Sequence, residues 1–288
     1  MSTSFGSASF KRILVPLDGT PAAEAVVPYV AGMASRLGAN VVLLTCLEGN
    51  GITDEQSSQY LDRVAAPLRK RGLVVATVVE RGQTAPGIVA ASLKYETGII
   101  AISVHSQPGG GRDVIGTVVR DVLHSRVEPV LILREADGEG AQNGWTPPPA
   151  VIVGLDGSVL AGAALGPAEL MAKAFGCQIV LVCAVHPPDA LAGAARYYGT
   201  AEEFAERHLA GAAENLRQRG FRVATNTGHR PADQELVAAA DVRPGSVIVI
   251  STRGMSGRPD LVLGSVTERI IRSQRHPVLA IPAARQPA

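Results

Sequence analysis

Apolar residues occur along this chain in short runs without a period, separated by longer stretches with helical spacing. Ser246-Val-Ile-Val-Ile250 is one such run. It is β-branched and aperiodic, which reads as a strand buried on both faces. Beyond it Val266, Ile270 and Ile271 fall at helical spacing, with Arg272 and Arg275 near a stop at Pro277. The first half alternates in the same way. Strands are predicted at Arg12–Leu17, Asn40–Cys46, Leu73–Val79, Ile99–Ser103 and Val130–Leu133. Helices are predicted over Pro21–Leu37, Asp54–Arg71, Pro86–Tyr95 and Thr117–Ser125, the first two stopped by glycine. Strict alternation of strand and helix argues for an α/β fold whose parallel sheet is covered on both faces. Ligands of such sheets bind at the carboxyl ends of the strands, where the strand order switches.

The pattern occurs twice. Ile13-Leu-Val-Pro-Leu-Asp-Gly-Thr20 returns as Val151-Ile-Val-Gly-Leu-Asp-Gly-Ser158, an offset of 138 residues. Further on, Gly72-Leu-Val-Val-Ala-Thr77 matches Gly220-Phe-Arg-Val-Ala-Thr225, Gly116-Thr117 matches Gly264-Ser265, and Pro129-Val-Leu-Ile-Leu133 matches Pro277-Val-Leu-Ala-Ile281, all at an offset of 148. The chain is a tandem duplication whose second copy gains ten residues between its second and third strands. The expected division is a first domain over residues 1–135, a linker over 136–149 and a second domain over 150–288. The linker reading rests on the Gly, Pro and polar content of ADGEGAQNGWTPPPA. Its Trp145, the only tryptophan, is expected to pack on a domain surface.

Composition narrows the class. The chain has 288 residues, 46% hydrophobic and 18% charged, with a net charge of +1, so it is large enough for cored domains. Near-neutral charge offers no electrostatic argument for nucleic acid or for an anionic membrane. No run approaches the roughly 18 apolar residues of a membrane span. The N-terminal MSTSFGSASF lacks a secretory pattern. The three cysteines, Cys46, Cys177 and Cys183, cannot all pair and form no C-x-x-C, which fits small apolar residues in a reducing compartment. A cytoplasmic protein is expected.

The candidate chemistry sits between the Ser246–Ile250 strand and the following helix. The loop carries Gly254, Gly257 and Gly264, and Ser265 with Glu268 has the spacing of a capping box. A strand, a glycine-rich loop and a helix N-terminus make an anion site of backbone N–H groups and helix dipole. No lysine precedes Ser265, so this is not a Walker A loop, and the loop follows a late strand, unlike a dinucleotide fingerprint. Its spacing is Ser251, two residues, Gly254, nine residues, then Gly264-Ser265. That resembles the G-x2-G-x9-G-(S/T) signature of the universal stress protein family, with Ser251 in place of the first glycine. The strand-one motifs LDGT and LDGS, around Asp18 and Asp156, add to the resemblance, which spans Arg12 to Pro282 apart from the linker. It implies two tandem open parallel five-stranded sheets with helices on both faces, Rossmann-like, each copy able to hold ATP.

Carried over residue by residue, the resemblance makes Gly154 and Asp156 contacts to base and ribose, and Ala184 a backbone contact to adenine. Ile250 and Ser251 end the fourth strand, and Gly254, Gly264, Ser265 and Val266 form the phosphate loop. In the first copy the matching positions are Pro16, Asp18 and Cys46, then Ser103, Ser106, Gly116 and Thr117. Each Asp also suits a turn that caps the next helix, and Ser265 also suits a plain cap. Serines at 103 and 106 replace two glycines, so the first site is expected to be the weaker. His105, a loop histidine without a partnered nucleophile, reads as a polar loop residue.

No catalytic motif or metal-spaced cluster appears. The family implies a nucleotide-responsive regulator of stress adaptation or growth, without catalytic residues and with at most slow ATP hydrolysis. Any Mg²⁺ would be held mainly by the triphosphate. The rival readings are an interaction scaffold that binds no nucleotide and a weak ATPase. The fifth strands, PVLIL and PVLAI, are apolar edges that need cover. The family implies pairing of the two copies through them, and further pairing of chains as a homodimer.

Overall fold

The computed structural model describes residues 10–49, 51, 53–104, 116–125, 128–134, 145–185, 200–254, 263–273 and 275–282. Ten strands are described: β1 Arg12–Pro16, β2 Asn40–Leu47, β3 Val75–Arg81, β4 Ile99–Val104, β5 Val130–Arg134, β6 Ala150–Gly154, β7 Gln178–Ala184, β8 Val223–Gly228, β9 Val247–Ser251 and β10 Val278–Ile281. The helices are α1 Pro21–Glu24, α2 Val26–Leu37, α3 Asp54–Lys70, α4 Thr84–Lys94, α5 Thr117–Ser125, α6 Val159–Gly162, α7 Leu165–Phe175, α8 Ala201–Gln218, α9 Ala232–Asp241 and α10 Ser265–Ser273. The described residues form two compact units, those up to Pro147 together with 271–282, and those from Pro148 to Ile270.

In the first unit the parallel strands run in the order β3-β2-β1-β4-β5. The later strand β10 adds to β5 in the antiparallel sense, Val278 opposite Ile132 and Leu279 opposite Leu131. In the second unit the parallel order is β9-β6-β7-β8. Each unit therefore reverses direction beside its first strand, between β1 and β4 and between β6 and β9. Those are the switch points where a cleft opens beyond the strand ends.

The central strands are buried without alternation, as expected for a sheet covered on both faces. Ile13, Leu14 and Val15 of β1 and all of Ala150–Val153 of β6 are shielded from solvent. The edge strands differ: β3 and β8 are half-exposed over most of their length. The duplication is legible in equivalent elements, since β2 precedes β7 by 138 residues and β3 precedes β8 by 148. Nine of the ten extra residues thus fall between β7 and α8, and α8 is itself one residue longer than α3, 18 against 17.

Three local findings refine the expectations. The helix predicted over Pro21–Leu37 breaks at Ala25 into α1 and α2. Pro28 has no N–H to donate to the Glu24 carbonyl, and its ring crowds that carbonyl. Helices α3 and α8 each begin with a full capping box, Thr53 with Gln56 and Thr200 with Glu203. Trp145 does pack on the first unit. Its indole meets Tyr29 edge-on at 6.0 Å and lies so close over Gly32 that a Cβ there would overlap it.

Candidate functional site

The second unit brings its two predicted half-motifs together. Strand β6 ends in Gly154, and the next turn is Leu155-Asp156-Gly157-Ser158. Gly157 takes φ +87, and a Cβ there would also strike the ring of Phe204 on α8. The turn holds Asp156 in place: its Oδ1 accepts the Ser158 N–H at 2.9 Å, and Ser158 Oγ caps α6 by accepting the Ala161 N–H. The turn role foreseen for this aspartate is therefore real, yet it uses only one carboxylate oxygen. The other faces Gly254, beyond the end of β9, where a Cβ would overlap Asp156 Oδ2. Residues nearly a hundred positions apart meet because β6 and β9 are parallel neighbours with Val151 opposite Val247.

Gly154, Ala184, Ile250 and Ser251 stand at neighbouring strand ends. A side chain on Gly154 would press on Leu236 at 3.0 Å and Ile250 at 3.6 Å. Ala184 ends β7 opposite Gly228. Ser251 is buried; its carbonyl accepts the Thr267 hydroxyl at 3.0 Å, tying the start of α10 to the end of β9. Next to Ala184, burial first and the Asp156 charge second push the Cys183 thiol up to about 11, which marks it as an inert thiol.

The helix start differs from the expected capping box. Helix α10 begins at Ser265, and the Glu268 N–H donates to the Gly264 carbonyl at 3.0 Å. Gly264 therefore occupies the cap and Ser265 the first helical position, so Ser265 is not the cap of a capping box despite its spacing from Glu268. The cause is local. The Gly264 N–H donates to the Thr252 carbonyl at 2.7 Å, and a Cβ on Gly264 would stand 3.2 Å from that oxygen. The glycine closes the loop on itself rather than offering its own N–H outward. Ser265 is left exposed at the first turn beside half-buried Val266. N–H groups of a first turn have no partner inside the helix, so anion-binding capacity remains there.

In the first unit Pro16 ends β1, and Asp18 accepts the Thr20 N–H at 2.9 Å and the Thr20 hydroxyl at 2.6 Å. This carboxylate is exposed, unlike Asp156. Cys46 is half-buried, with its thiol pushed up to about 11 by burial and then by Glu80 and Glu48. The Ser103 hydroxyl is buried without a hydrogen-bond partner. Gly116 caps α5 by accepting the Arg120 N–H at 3.0 Å, with Thr117 exposed behind it. Ser106 and His105 lie outside the described residues.

Sequence reasoning missed Glu235. It is 3% exposed on α9. Its Oε1 accepts the Arg230 N–H and Nε at 3.0 and 2.9 Å, and its Oε2 accepts Nη2 at 3.0 Å. Those side-chain bonds to Arg230 hold the carboxyl below its usual range. The carboxylate lies where a Cβ on Gly228 would be. The repeat carried a signal: at the offset of 148, Gly228 and Glu235 correspond to Glu80 and Gly87, a reciprocal exchange. In the first unit the space over Gly87 is taken by Cys46, whose Sγ would sit 2.8 Å from an added Cβ. Among the described residues no group of three or more His, Cys, Asp or Glu could hold a metal. Likewise no described helix is long and apolar enough to cross a membrane.

Comparison with known proteins agrees with this fold. The model of the Universal stress protein family matches the chain twice, over residues 9–134 and 149–282. A universal stress protein of Mycolicibacterium smegmatis is 24% identical over 297 residues, covering 96% of this chain and 98% of that protein. A crystal structure of a universal stress protein from Archaeoglobus fulgidus superposes with a TM-score of 0.74 at 19% identity, covering 97% of this chain and 100% of its own. A functionally unknown protein from Pseudomonas aeruginosa PAO1 superposes with a TM-score of 0.66 at 18% identity, covering 97% and 95%.

Proposed function

This chain belongs to the universal stress protein family, and from that premise we propose that it is an ATP-binding, nucleotide-responsive regulator of stress adaptation or growth. The observation that carries the proposal is the meeting of Asp156 and Gly254 at the switch point of the second unit. The second carboxylate oxygen of Asp156, at Gly254, suits a ribose hydroxyl donor, and a side chain at 254 would overlap it. Gly154 and Ala184 line the strand ends toward the base, with Ile250 and Ser251 closing the floor. The first-turn amides and hydroxyl of Ser265, with Val266, receive the phosphates. Gly264 acts indirectly, by fixing the loop. Mg²⁺ would be carried by the triphosphate.

The first unit is the weaker site in this proposal. In sequence Ser106 stands where the second unit has Gly254, so the first copy lacks the glycine that faces the aspartate in the second. The buried hydroxyl of Ser103, which has no partner in the protein, is a polar group there that a ligand would satisfy. The protein acts by binding, as a cytoplasmic regulator with at most slow hydrolysis. The domains are 1–135 and 150–288, joined by 136–149. The antiparallel contact of β10 with β5 supports pairing of the two copies through their fifth strands, with a homodimer as the further assembly.

The test is nucleotide analysis of the purified protein, followed by paired ATP titration of Asp18→Ala and Asp156→Ala variants with folding checked by circular dichroism. The expected result is a large loss of affinity in Asp156→Ala and a small one in Asp18→Ala. No bound nucleotide and no titration in the unaltered protein would favour the scaffold. Steady turnover lost in Asp156→Ala would favour an ATPase.

A further inference from the structure

Edge strand β8 is incompletely covered, and a cavity of 360 Å³ lies between it and α9. Its apolar wall includes Val180, Ala239 and Val242; its polar groups include Asn226, Arg230 and Arg243. Val180 is paired with Ala224, four residues before the Ala184–Gly228 pair at the strand ends. At about 3.3 Å per residue this wall is about 13 Å back from the strand ends, and the slot runs from it to Arg230, two residues past the end of β8. The volume lies in the lower range of small-molecule sites.

The polar groups of this slot are poorly satisfied by the protein. The Arg243 guanidinium has no carboxylate partner among the described residues, and its one described bond is a long one, from Nη1 to the Ala239 carbonyl at 3.4 Å. The Asn226 amide makes no described hydrogen bond. Arg230 gives Nε and Nη2 to Glu235, which leaves Nη1. The duplication supplies the control. At the offset of 148 the first copy has Val78, Gly82 and Tyr95 at these positions, all neutral, and Val78 is buried. One scaffold thus carries valine, glycine and tyrosine at these positions in one copy, and an amide and two guanidinium groups around a cavity in the other. An unpaired guanidinium over apolar walls suits a carboxylate on a small hydrocarbon body, and the amide beside it suits a keto or hydroxyl group on the next carbon.

We propose that the slot between β8 and α9 is a second ligand site, which takes a small organic acid by its oxyanion, independently of nucleotide. The test is calorimetric titration of the full chain with 2-oxoisovalerate, succinate and inorganic phosphate, each to about 10 mM. It is repeated with Asn226→Val and Arg243→Tyr, the residues of the first copy. Both variants are expected to keep the wild-type melting temperature and ATP titration, because the same scaffold already holds those side chains. Saturable binding of either organic acid, weakened at least tenfold in both variants, supports the proposal. Binding of phosphate alone overturns the organic-acid assignment. Absence of saturable binding by all three, or binding indifferent to both substitutions, overturns the site.

Discussion

Replacing Gly254 by alanine isolates the contact on which the nucleotide reading rests. The new Cβ would overlap Asp156 Oδ2, so the carboxylate must swing away. Folding should hardly notice. Asp156 is half-buried and can turn into solvent, and the entropy lost by the unfolded chain offsets a small strain. We expect stability within about 0.5 kcal/mol of the parent. Binding is another matter, because a displaced carboxylate loses its bond to the ligand. Hydrogen bonds to charged groups contribute roughly 1.5–3 kcal/mol, which corresponds to about a 10- to 100-fold weaker ATP affinity. Isothermal titration of Gly254→Ala, Asp156→Ala and the double variant is the assay. Both substitutions act through one carboxylate, so the double variant should bind no more weakly than Asp156→Ala alone. Gly116→Ala in the first unit, where nothing lies within 4 Å of an added Cβ, is the control and should change little. Additive losses in the double variant, or full ATP affinity in Gly254→Ala, would refute the reasoning.

Glu128 is half-buried, and burial pushes its carboxyl from 4.5 up to about 7. The folded state then holds the proton longer than the unfolded chain, so stability falls as pH rises from about 4.5 to about 7. Discounted for its solvent contact, Glu128→Gln should stabilise by about 1 kcal/mol above pH 7 and by nothing near pH 4, as read from urea midpoints. Gly32→Ala gains helix propensity but evicts the Trp145 indole, so a net loss of about 1–2 kcal/mol and a red-shifted tryptophan emission are expected. Arg230→Ala removes the two side-chain bonds to buried Glu235 and leaves only the backbone N–H of residue 230, so the urea midpoint at pH 7 should fall. That loss should shrink as pH falls below the unfolded carboxylate range, because the Arg230 side-chain bonds are the largest cause holding Glu235 low.

The duplication and the alternation of strand and helix were readable because buried parallel strands demand aperiodic β-branched runs, and D-G turns mark where each copy begins. The pairing of Asp156 with the β9 loop was reachable from spacing and resemblance. The cap of α10 was not. Ser-x-x-Glu has the same spacing whether serine caps or enters the helix, and only the Gly264–Thr252 bond decides between them. Glu235 escaped for a related reason: a glutamate in an amphipathic stretch looks solvated until Gly228 is seen to leave it room. The break at Ala25 had a visible cause in Pro28, but helix continuity through an alanine-rich run hid it.

The antiparallel seat of β10 on β5 also bears on how the protein is made. Residue 278 is synthesised 144 residues after residue 134, which takes on the order of ten seconds at ordinary elongation rates. For that time the Val130–Arg134 strand waits at an open apolar edge, the kind of template on which nascent chains of one polysome stick to each other. A cell starved of chaperones, or one that stalls ribosomes late in this message, would collect N-terminal halves with that edge bare. Such halves would be expected to find the missing strand in a neighbour, so interrupted translation would convert an internal join into a cross-link between molecules.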